Sequence, residues 1–109
     1  MSINKRLVKA LEGLTASPAA ETYKGNDALY IVFNYSEIPD NFGDDDAGHY
    51  RVLVQVHLYA PPEENTVALR REIMRRLVAA DFTRPSITPA SDANGQHFIF
   101  ECEDAEAVE

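Results

Sequence analysis

The sequence holds little of the chemistry that disulfide-bonded proteins, zinc proteins and nucleotide-binding enzymes require. Among its 109 residues there is one cysteine, Cys102, there is no tryptophan, and there are five glycines. A single cysteine excludes an internal disulfide and any zinc site built from several cysteines. The glycines are scattered through turn-like segments, which excludes a glycine-rich loop that cradles phosphates. A chain of this length builds one hydrophobic core, so we interpret residues 1–109 as a single domain.

Positive charge is scarce as well. Ten lysines and arginines face 18 aspartates and glutamates, which gives a formal net charge of −8. Such an excess of negative charge repels nucleic-acid phosphates and anionic membranes. No apolar run is long enough to span a bilayer, and no segment has the basic, apolar and small-residue parts of a secretion signal. We therefore expect a soluble intracellular protein without a membrane partner.

The first half of the chain predicts one helix followed by extended segments. Apolar residues recur at helical spacing between Ser2, which can serve as the N-cap, and Gly13, which can end the helix. Aromatic and β-branched residues then dominate two long segments, and the second alternates clearly. The predicted helix covers residues 2–14, and the predicted strands cover residues 21–23, 28–38 and 49–59. The proline, glycines and aspartates of residues 39–48 predict the tip of a hairpin.

The second half predicts a longer helix and a second hairpin. Asn65 or Thr66 can cap a helix that runs to about residue 80. Its core stripe consists of Leu69, Ile73, Leu77 and Ala80. Pro89 interrupts the strand that follows, which favours an edge position for that strand. The predicted strands cover residues 86–90 and 96–103. We expect residues 104–109 to form a mobile acidic tail.

The order of these elements is α-β-β-β-α-β-β. Runs of strands separated by a helix favour an antiparallel or mixed sheet with helices on one side, rather than a parallel α/β sheet. The predicted fold class is therefore α+β, with two helices packed on one face of the sheet.

The histidines and aspartates do not form a metal-binding pattern. His57 and His97 could approach each other across neighbouring strands, but we interpret them as partly exposed sheet residues. The run Asp44, Asp45 and Asp46 lacks the ligand alternation and the closing glutamate of a calcium loop. We interpret it as a solvated hairpin tip, and we expect no metal and no other cofactor.

Nucleophilic catalysis has no better candidate. Ser36 is not flanked by the glycines of a nucleophile elbow. Cys102 lies between Glu101 and Glu103, whose charges should raise the pKa of its thiol rather than activate it. We interpret Cys102 as a core residue, and we expect a protein that is not an enzyme and has no catalytic residue.

Two surface features exceed what a monomer needs. The second helix carries, beside its core stripe, another apolar stripe of Val67, Met74 and Val78. A helix that covers a sheet needs only one apolar stripe. The additional stripe either packs against the first helix or meets another subunit.

The second feature is the segregation of charge. Four of the ten basic residues lie in the second helix, where Arg71 and Arg75 are one turn apart on the side away from the core. Acidic residues gather in the hairpin tip and near the end of the sequence. They are Asp40, Asp44, Asp45, Asp46, Glu101, Glu103, Asp104, Glu106 and Glu109. The arginines form either a solvated helix face or a surface that meets an acidic edge of the next copy, a head-to-tail contact that can close into a ring.

Several stretches of the sequence resemble small tail proteins of long-tailed phages and prophages, in the group of tail terminators and tail-to-head joining (tail completion) proteins. The stretches are residues 1–11 (MSINKRLVKAL), 30–37 (YIVFNYSE), 54–61 (VQVHLYAP, followed by the arginine-rich helix) and 98–103 (FIFECE). These stretches are structural motifs without catalytic signatures, and they spread over nearly the whole chain. The resemblance supplies no catalytic residues.

The resemblance implies a hexameric ring that caps the tail tube, ends its growth and offers a surface to the head connector. It implies four partners or contacts: other copies of the chain, the tail tube protein, the head connector proteins, and DNA that passes through the lumen of the ring. An acidic wall suits such a lumen because it does not hold the phosphates. The implied location is the host cytoplasm during assembly and then the virion tail, and a subunit without the tube can be a monomer.

The residues themselves leave a second hypothesis open. A small cytoplasmic protein-binding module could use the exposed face of the sheet. The side chains predicted on that face are Leu53, Gln55, His57 and Tyr59.

Overall fold

The computed structural model describes residues 2–14, 19–20, 29–39 and 50–104. These residues form α1 (Ile3–Leu11), β1 (Ala19–Ala20), β2 (Tyr30–Pro39), β3 (Tyr50–Ala60), α2 (Val67–Ala79), β4 (Ser86–Pro89) and β5 (Gln96–Glu103). The predicted order α-β-β-β-α-β-β, and with it the α+β class, is confirmed. Neither helix in the described part of the chain is long and apolar enough to cross a membrane.

The strands form one mixed sheet in the order β1-β2-β3-β5-β4. β1 runs parallel to β2, and the other neighbouring strands are antiparallel. The long hairpin pairs β2 with β3 from Tyr30 opposite Tyr59 to Pro39 opposite Tyr50. β4 lies at the edge, as its Pro89 predicts, because proline cannot donate to a second neighbouring strand.

In the first half of the chain, two predicted segments fall outside the described residues. The short strand expected at residues 21–23 is one of them, and the structure describes β1 at Ala19–Ala20, directly before it. The expected hairpin tip, residues 39–48, is the other, apart from Pro39, which belongs to β2. The aspartates of that tip, Asp44, Asp45 and Asp46, therefore have no described position.

The alternation of β3 separates the two faces of the sheet. Its even-numbered residues from Val52 to Leu58 are buried in the core, together with Phe33 and Phe100. Both helices contribute to this same cluster, through the buried residues Leu7, Leu11, Ile73 and Leu77. The helices therefore pack on one face, as predicted. The opposite face, which we call the open face, carries Tyr30, Asn34, Leu53, Gln55, His57, Tyr59, His97, Ile99 and Glu101.

The first helix begins where the sequence indicates but ends earlier than predicted. The Ser2 side chain accepts a hydrogen bond from the backbone N–H of Lys5 at 3.1 Å, so it is the N-cap. Gly13 has a φ of +84°, a left-handed conformation that glycine adopts without strain. The helix itself stops at Leu11, earlier than the predicted residue 14.

The start of α2 is fixed by a buried hydroxyl. Thr66 is 2% exposed, and its hydroxyl donates to Gln96 Oε1 at 2.8 Å while accepting from Arg70 Nε at 3.1 Å. The amide of Gln96 in turn donates to the backbone carbonyl of Pro61. Thr66 therefore ties the first turn of α2 to β5 instead of capping the helix with its side chain.

Asp104, expected at the start of a mobile tail, is held by the fold. It forms an isolated bridge with Phe82, and its carboxylate pairs with Arg6 of α1 at 3.1 Å. The Arg6 guanidinium also donates to the Ala80 carbonyl at 2.8 Å and lies over the Phe82 ring. This cluster joins α1, the end of α2 and the end of β5, and residues 105–109 of the expected tail lie outside the described part of the chain.

Candidate functional site

The outer side of α2 carries an open groove of about 370 Å³. Its lining comes from α2 and from the connection to β4, and we call it the α2 groove. It is lined by Arg71, Met74, Arg75, Val78 and Arg84. Four of these residues were singled out from the sequence as a possible interface, and the structure brings them together. Arg84 was missed because it lies in an irregular connection, where the sequence shows no periodicity that would orient its side chain.

The additional apolar stripe of α2 is not covered by α1. Val67 and Val78 are 41% and 46% exposed, and Met74 packs partly against the core. The contact with α1 involves a different side of α2, where Arg76 donates to the carbonyls of Ala10 and Glu12. The stripe thus leaves two exposed valines on the flank of α2 that carries the groove.

Glu72 neutralises part of the positive charge of α2. Its carboxylate accepts hydrogen bonds from Arg75 and Arg76, with Nε–O distances of 3.1 and 2.9 Å. These bonds, with that to Arg75 the stronger influence, lower the pKa of Glu72 to about 2. The same contact raises the pKa of Arg75. One carboxylate shared by two guanidiniums leaves a positive excess on the helix.

Arg71 and Arg84 hold the remaining charge of the α2 groove. Both are exposed, and neither forms a hydrogen bond or ion pair with another residue that the structure describes. A groove with an apolar floor of Met74 and Val78 between guanidiniums suits an acidic segment that also carries small apolar side chains.

The acidic residues of β5 do not form a separate acidic edge. Glu103 pairs with Arg51 at 2.7 Å, and this hydrogen-bonded contact lowers the pKa of Glu103. Glu101 accepts a hydrogen bond from Gln55 at 2.9 Å. Both glutamates lie on the open face. Their carboxylates already bind side chains of the same subunit, so this part of the acidic edge expected from the sequence is not free for another copy.

An aromatic row crosses the open face near one end of the sheet. The rings of Tyr30, Tyr59 and His97 stack in that order across β2, β3 and β5, with centroid separations of 4.9 and 4.2 Å. His57 stacks beside His97 at 5.2 Å, and Asn34 lies 3.4 Å from its Nε2. The sequence left open an approach of the two histidines and placed Tyr59 on the exposed face. Tyr30 was missed because the strand register that aligns it with Tyr59 is not readable from composition.

Burial is the main cause of the shifted pKa values of His57, His97 and Tyr59. His57 Nδ1 and His97 Nε2 lie 3.0 Å apart, and both rings are half-buried. Burial lowers the pKa of His57, and the neighbouring His97 lowers it further, against an opposing influence of Glu101. Burial likewise lowers the pKa of His97, with Asp92 opposing it, and raises the pKa of Tyr59. Burial therefore favours the neutral forms of His57, His97 and Tyr59.

Metal-ligating side chains and the cysteine are the other reactive groups in the described residues. No group of three or more histidine, cysteine, aspartate or glutamate side chains there is placed to hold a metal ion. Cys102 is 6% exposed, and burial, assisted by the charge of Glu103, raises the pKa of its thiol to about 12. Burial rather than the adjacent glutamates is thus the main reason that this thiol is protonated.

Comparison with known proteins supports the fold and nothing more specific. No family model matches the chain, and no curated protein matches its sequence. Five chains of solved structures match. One of them aligns over 92% of this chain and 86% of its own length, with a TM-score of 0.61 and 15% sequence identity. At that identity the similarity is one of architecture.

Proposed function

We propose that this chain is a structural protein of a long-tailed phage or prophage tail, a tail terminator or tail-to-head joining protein. In this proposal copies of the chain form a ring, a hexamer, at the end of the tail tube. The ring stops tube growth and receives the head connector. The protein acts by assembly, without a chemical step, and partner choice follows from shape and charge complementarity.

The observation that carries the proposal is the α2 groove. It combines an apolar floor with arginines on an exposed helix face, in a chain whose net charge is −8. Arginine and methionine are enriched in protein interfaces, and exposed apolar patches rimmed by polar groups mark interaction sites. The exposed Val67 and Val78 extend this apolar surface along the helix. An arginine-rich surface on an acidic subunit favours binding to a second acidic subunit.

The charge balance fits the proposed place in the tail. A ring of subunits that each carry −8 has a strongly negative field, and the wall of its lumen would repel passing DNA instead of binding it. Assembly would take place in the host cytoplasm, and the finished ring would remain in the virion tail.

Charge reversal in the α2 groove tests the proposal. The double variant R71E/R75E should fold, because both side chains are exposed, and it should yield tails without terminated tubes and few infectious particles. The measurement is the titre together with electron microscopy of tail lengths, after complementation of a phage that lacks the gene.

The matched control is K5E/K9E, which makes the same charge change on exposed residues of α1. The control should assemble normally. Normal particles with R71E/R75E, when circular dichroism shows that the variant is folded, would refute the role of this surface.

The aromatic row favours a second candidate function. A stacked Tyr30–Tyr59–His97 array on the face that neither α1 nor α2 covers suits a small cytoplasmic protein-binding module. A groove of about 420 Å³ at the end of this row, bordered by Pro61 and Pro62, adds apolar surface. Under this alternative Y59A abolishes binding to the partner protein in the cell, whereas R71E/R75E leaves this binding intact. The first candidate requires the opposite pattern.

A further inference from the structure

We infer that the α2 groove binds residues 105–109 of a second copy of the chain, the sequence Ala-Glu-Ala-Val-Glu. The inference rests on the proposed self-association and names the segment that makes the contact. It names the two surfaces of the head-to-tail contact: the α2 groove on one copy and this acidic segment on the next.

The charges of the groove and the segment are complementary. The groove offers Arg71 and Arg84, neither of which has a hydrogen-bonding or ionic partner among the described residues. The segment offers Glu106 and Glu109. Carboxylates bind guanidiniums through charge-assisted hydrogen bonds, which are stronger than neutral ones. The segment therefore supplies the partners that these two arginines lack within the described part of their own subunit.

The apolar parts of the two surfaces match as well. Between its glutamates the segment carries Ala107 and Val108, small enough for an open groove of about 370 Å³. Between its arginines the groove presents Met74 and Val78. An apolar centre flanked by charged pairs is the usual arrangement of a specific interface.

The position of Asp104 favours a second copy over the same chain. Asp104 is held by Arg6 next to α1, whereas the α2 groove lies on the other flank of α2. The chain at Asp104 runs antiparallel to the chain at Phe82. It therefore leaves Asp104 in the direction away from Arg84. The segment would have to reverse its direction to enter the groove of its own chain, whereas the segment of a neighbouring copy needs no such reversal.

A peptide with the sequence of residues 103–109 tests the inference directly. Its binding is measured by fluorescence anisotropy against the full chain and against a chain truncated after Asp104, both at low protein concentration. We expect the two to bind the peptide equally well, and we expect R71Q/R84Q to weaken binding about tenfold, as the loss of two surface ion pairs implies.

Two controls isolate the charges that matter. The variant K5Q/K9Q removes the same charge from α1 and should leave the affinity unchanged. A peptide with E106Q and E109Q should bind about tenfold more weakly, as the unmodified peptide does to R71Q/R84Q. Added salt should weaken binding of the unmodified peptide because Arg71 and Arg84 are exposed. Loss of binding in K5Q/K9Q equal to that in R71Q/R84Q would indicate general charge attraction and overturn the inference.

The remaining outcomes separate this inference from the proposed function. Absence of peptide binding overturns the inference, and if R71E/R75E still blocks particle formation the proposed function stands. Weaker binding by the full chain than by the truncated chain shows that the segment covers its own groove, which overturns binding between copies. Peptide binding combined with normal particles from R71E/R75E supports the inference and refutes the tail function.

Discussion

His57 on β3 and His97 on β5 share a hydrogen bond of 3.0 Å between Nδ1 and Nε2. One ring nitrogen must donate and the other must accept, so at least one ring is neutral in this geometry. A second proton on the pair would remove the acceptor and place two positive charges side by side. The half-buried position of the rings opposes charge still further.

This pair predicts that stability falls as the pH is lowered through the histidine range. The folded-state pKa of both rings lies below the ordinary value of 6.5, so near that pH the unfolded chain binds more protons than the folded chain. The part of the folding free energy that depends on these two histidines is fully present above pH 6.5. It is lost as the pH falls toward their folded-state pKa values. Urea midpoints measured from about pH 7.5 down to about pH 5.5 should therefore decrease.

The variant H97Q tests whether the pair is responsible. It lowers stability at every pH because it removes the ring stacked on Tyr59, so the informative quantity is the slope against pH. We expect a shallower slope than in the unaltered chain. Equal slopes would show that the His57–His97 contact does not contribute to the pH dependence.

The ion pair between Arg6 and Asp104 should contribute more to stability than the ion pair between Arg51 and Glu103. Its side chains are 17% and 8% exposed, whereas those of Arg51 and Glu103 are 46% and 37% exposed. We expect D104A to cost about 2 kcal/mol, because it leaves a largely buried guanidinium without its carboxylate. The matched variant E103A should cost less than about 1 kcal/mol. Chemical denaturation of both variants gives the comparison, and an equal loss would contradict the structural role of Asp104.

The buried hydroxyl of Thr66 predicts a second matched pair of variants. T66V keeps the shape of the side chain but leaves Gln96 Oε1 without its donor, which should cost about 1–3 kcal/mol. T88V makes the same change on the exposed side of β4 and should lie within about 0.5 kcal/mol of the unaltered chain. A tolerated T66V would mean that Gln96 finds another partner.

Cys102 should be unreactive in the folded protein. Its thiol is 6% exposed and its pKa is raised to about 12, so the thiolate that attacks alkylating reagents is scarce and shielded at pH values near neutrality. Iodoacetamide followed by mass spectrometry should label the chain slowly in buffer and quickly in concentrated urea. Rapid labelling in buffer would place the thiol at the surface.

Much of the fold could be predicted because local patterns and the core agree. The alternation from Val52 to Leu58 predicted which side of β3 is buried, and Pro89 predicted an edge strand. The pair Ala19–Ala20 could not be foreseen, since two alanines carry no strand pattern and their strand exists only through pairing with Val32 and Phe33.

The candidate surfaces were less accessible to sequence reasoning. Helical periodicity correctly grouped Arg71, Met74, Arg75 and Val78, because spacing on a helix fixes which residues share a side. Arg84 and Tyr30 joined their clusters through tertiary contacts and strand register, which no local pattern encodes. Asp104 was assigned to a tail from its acidic surroundings, and its partner Arg6 is too distant in sequence to be inferred.

The position of β5 has a consequence for synthesis on the ribosome. β5 follows β4 in the chain but lies between β3 and β4 in the sheet. Until residues 96–103 emerge from the exit tunnel, β4 has no described strand beside it, and Val54 and Val56 lack their neighbours Cys102 and Phe100. The nascent chain can form its first hairpin early, yet the interior closes only when β5 inserts. Ribosome stalling before residue 96 should therefore leave a protease-sensitive intermediate.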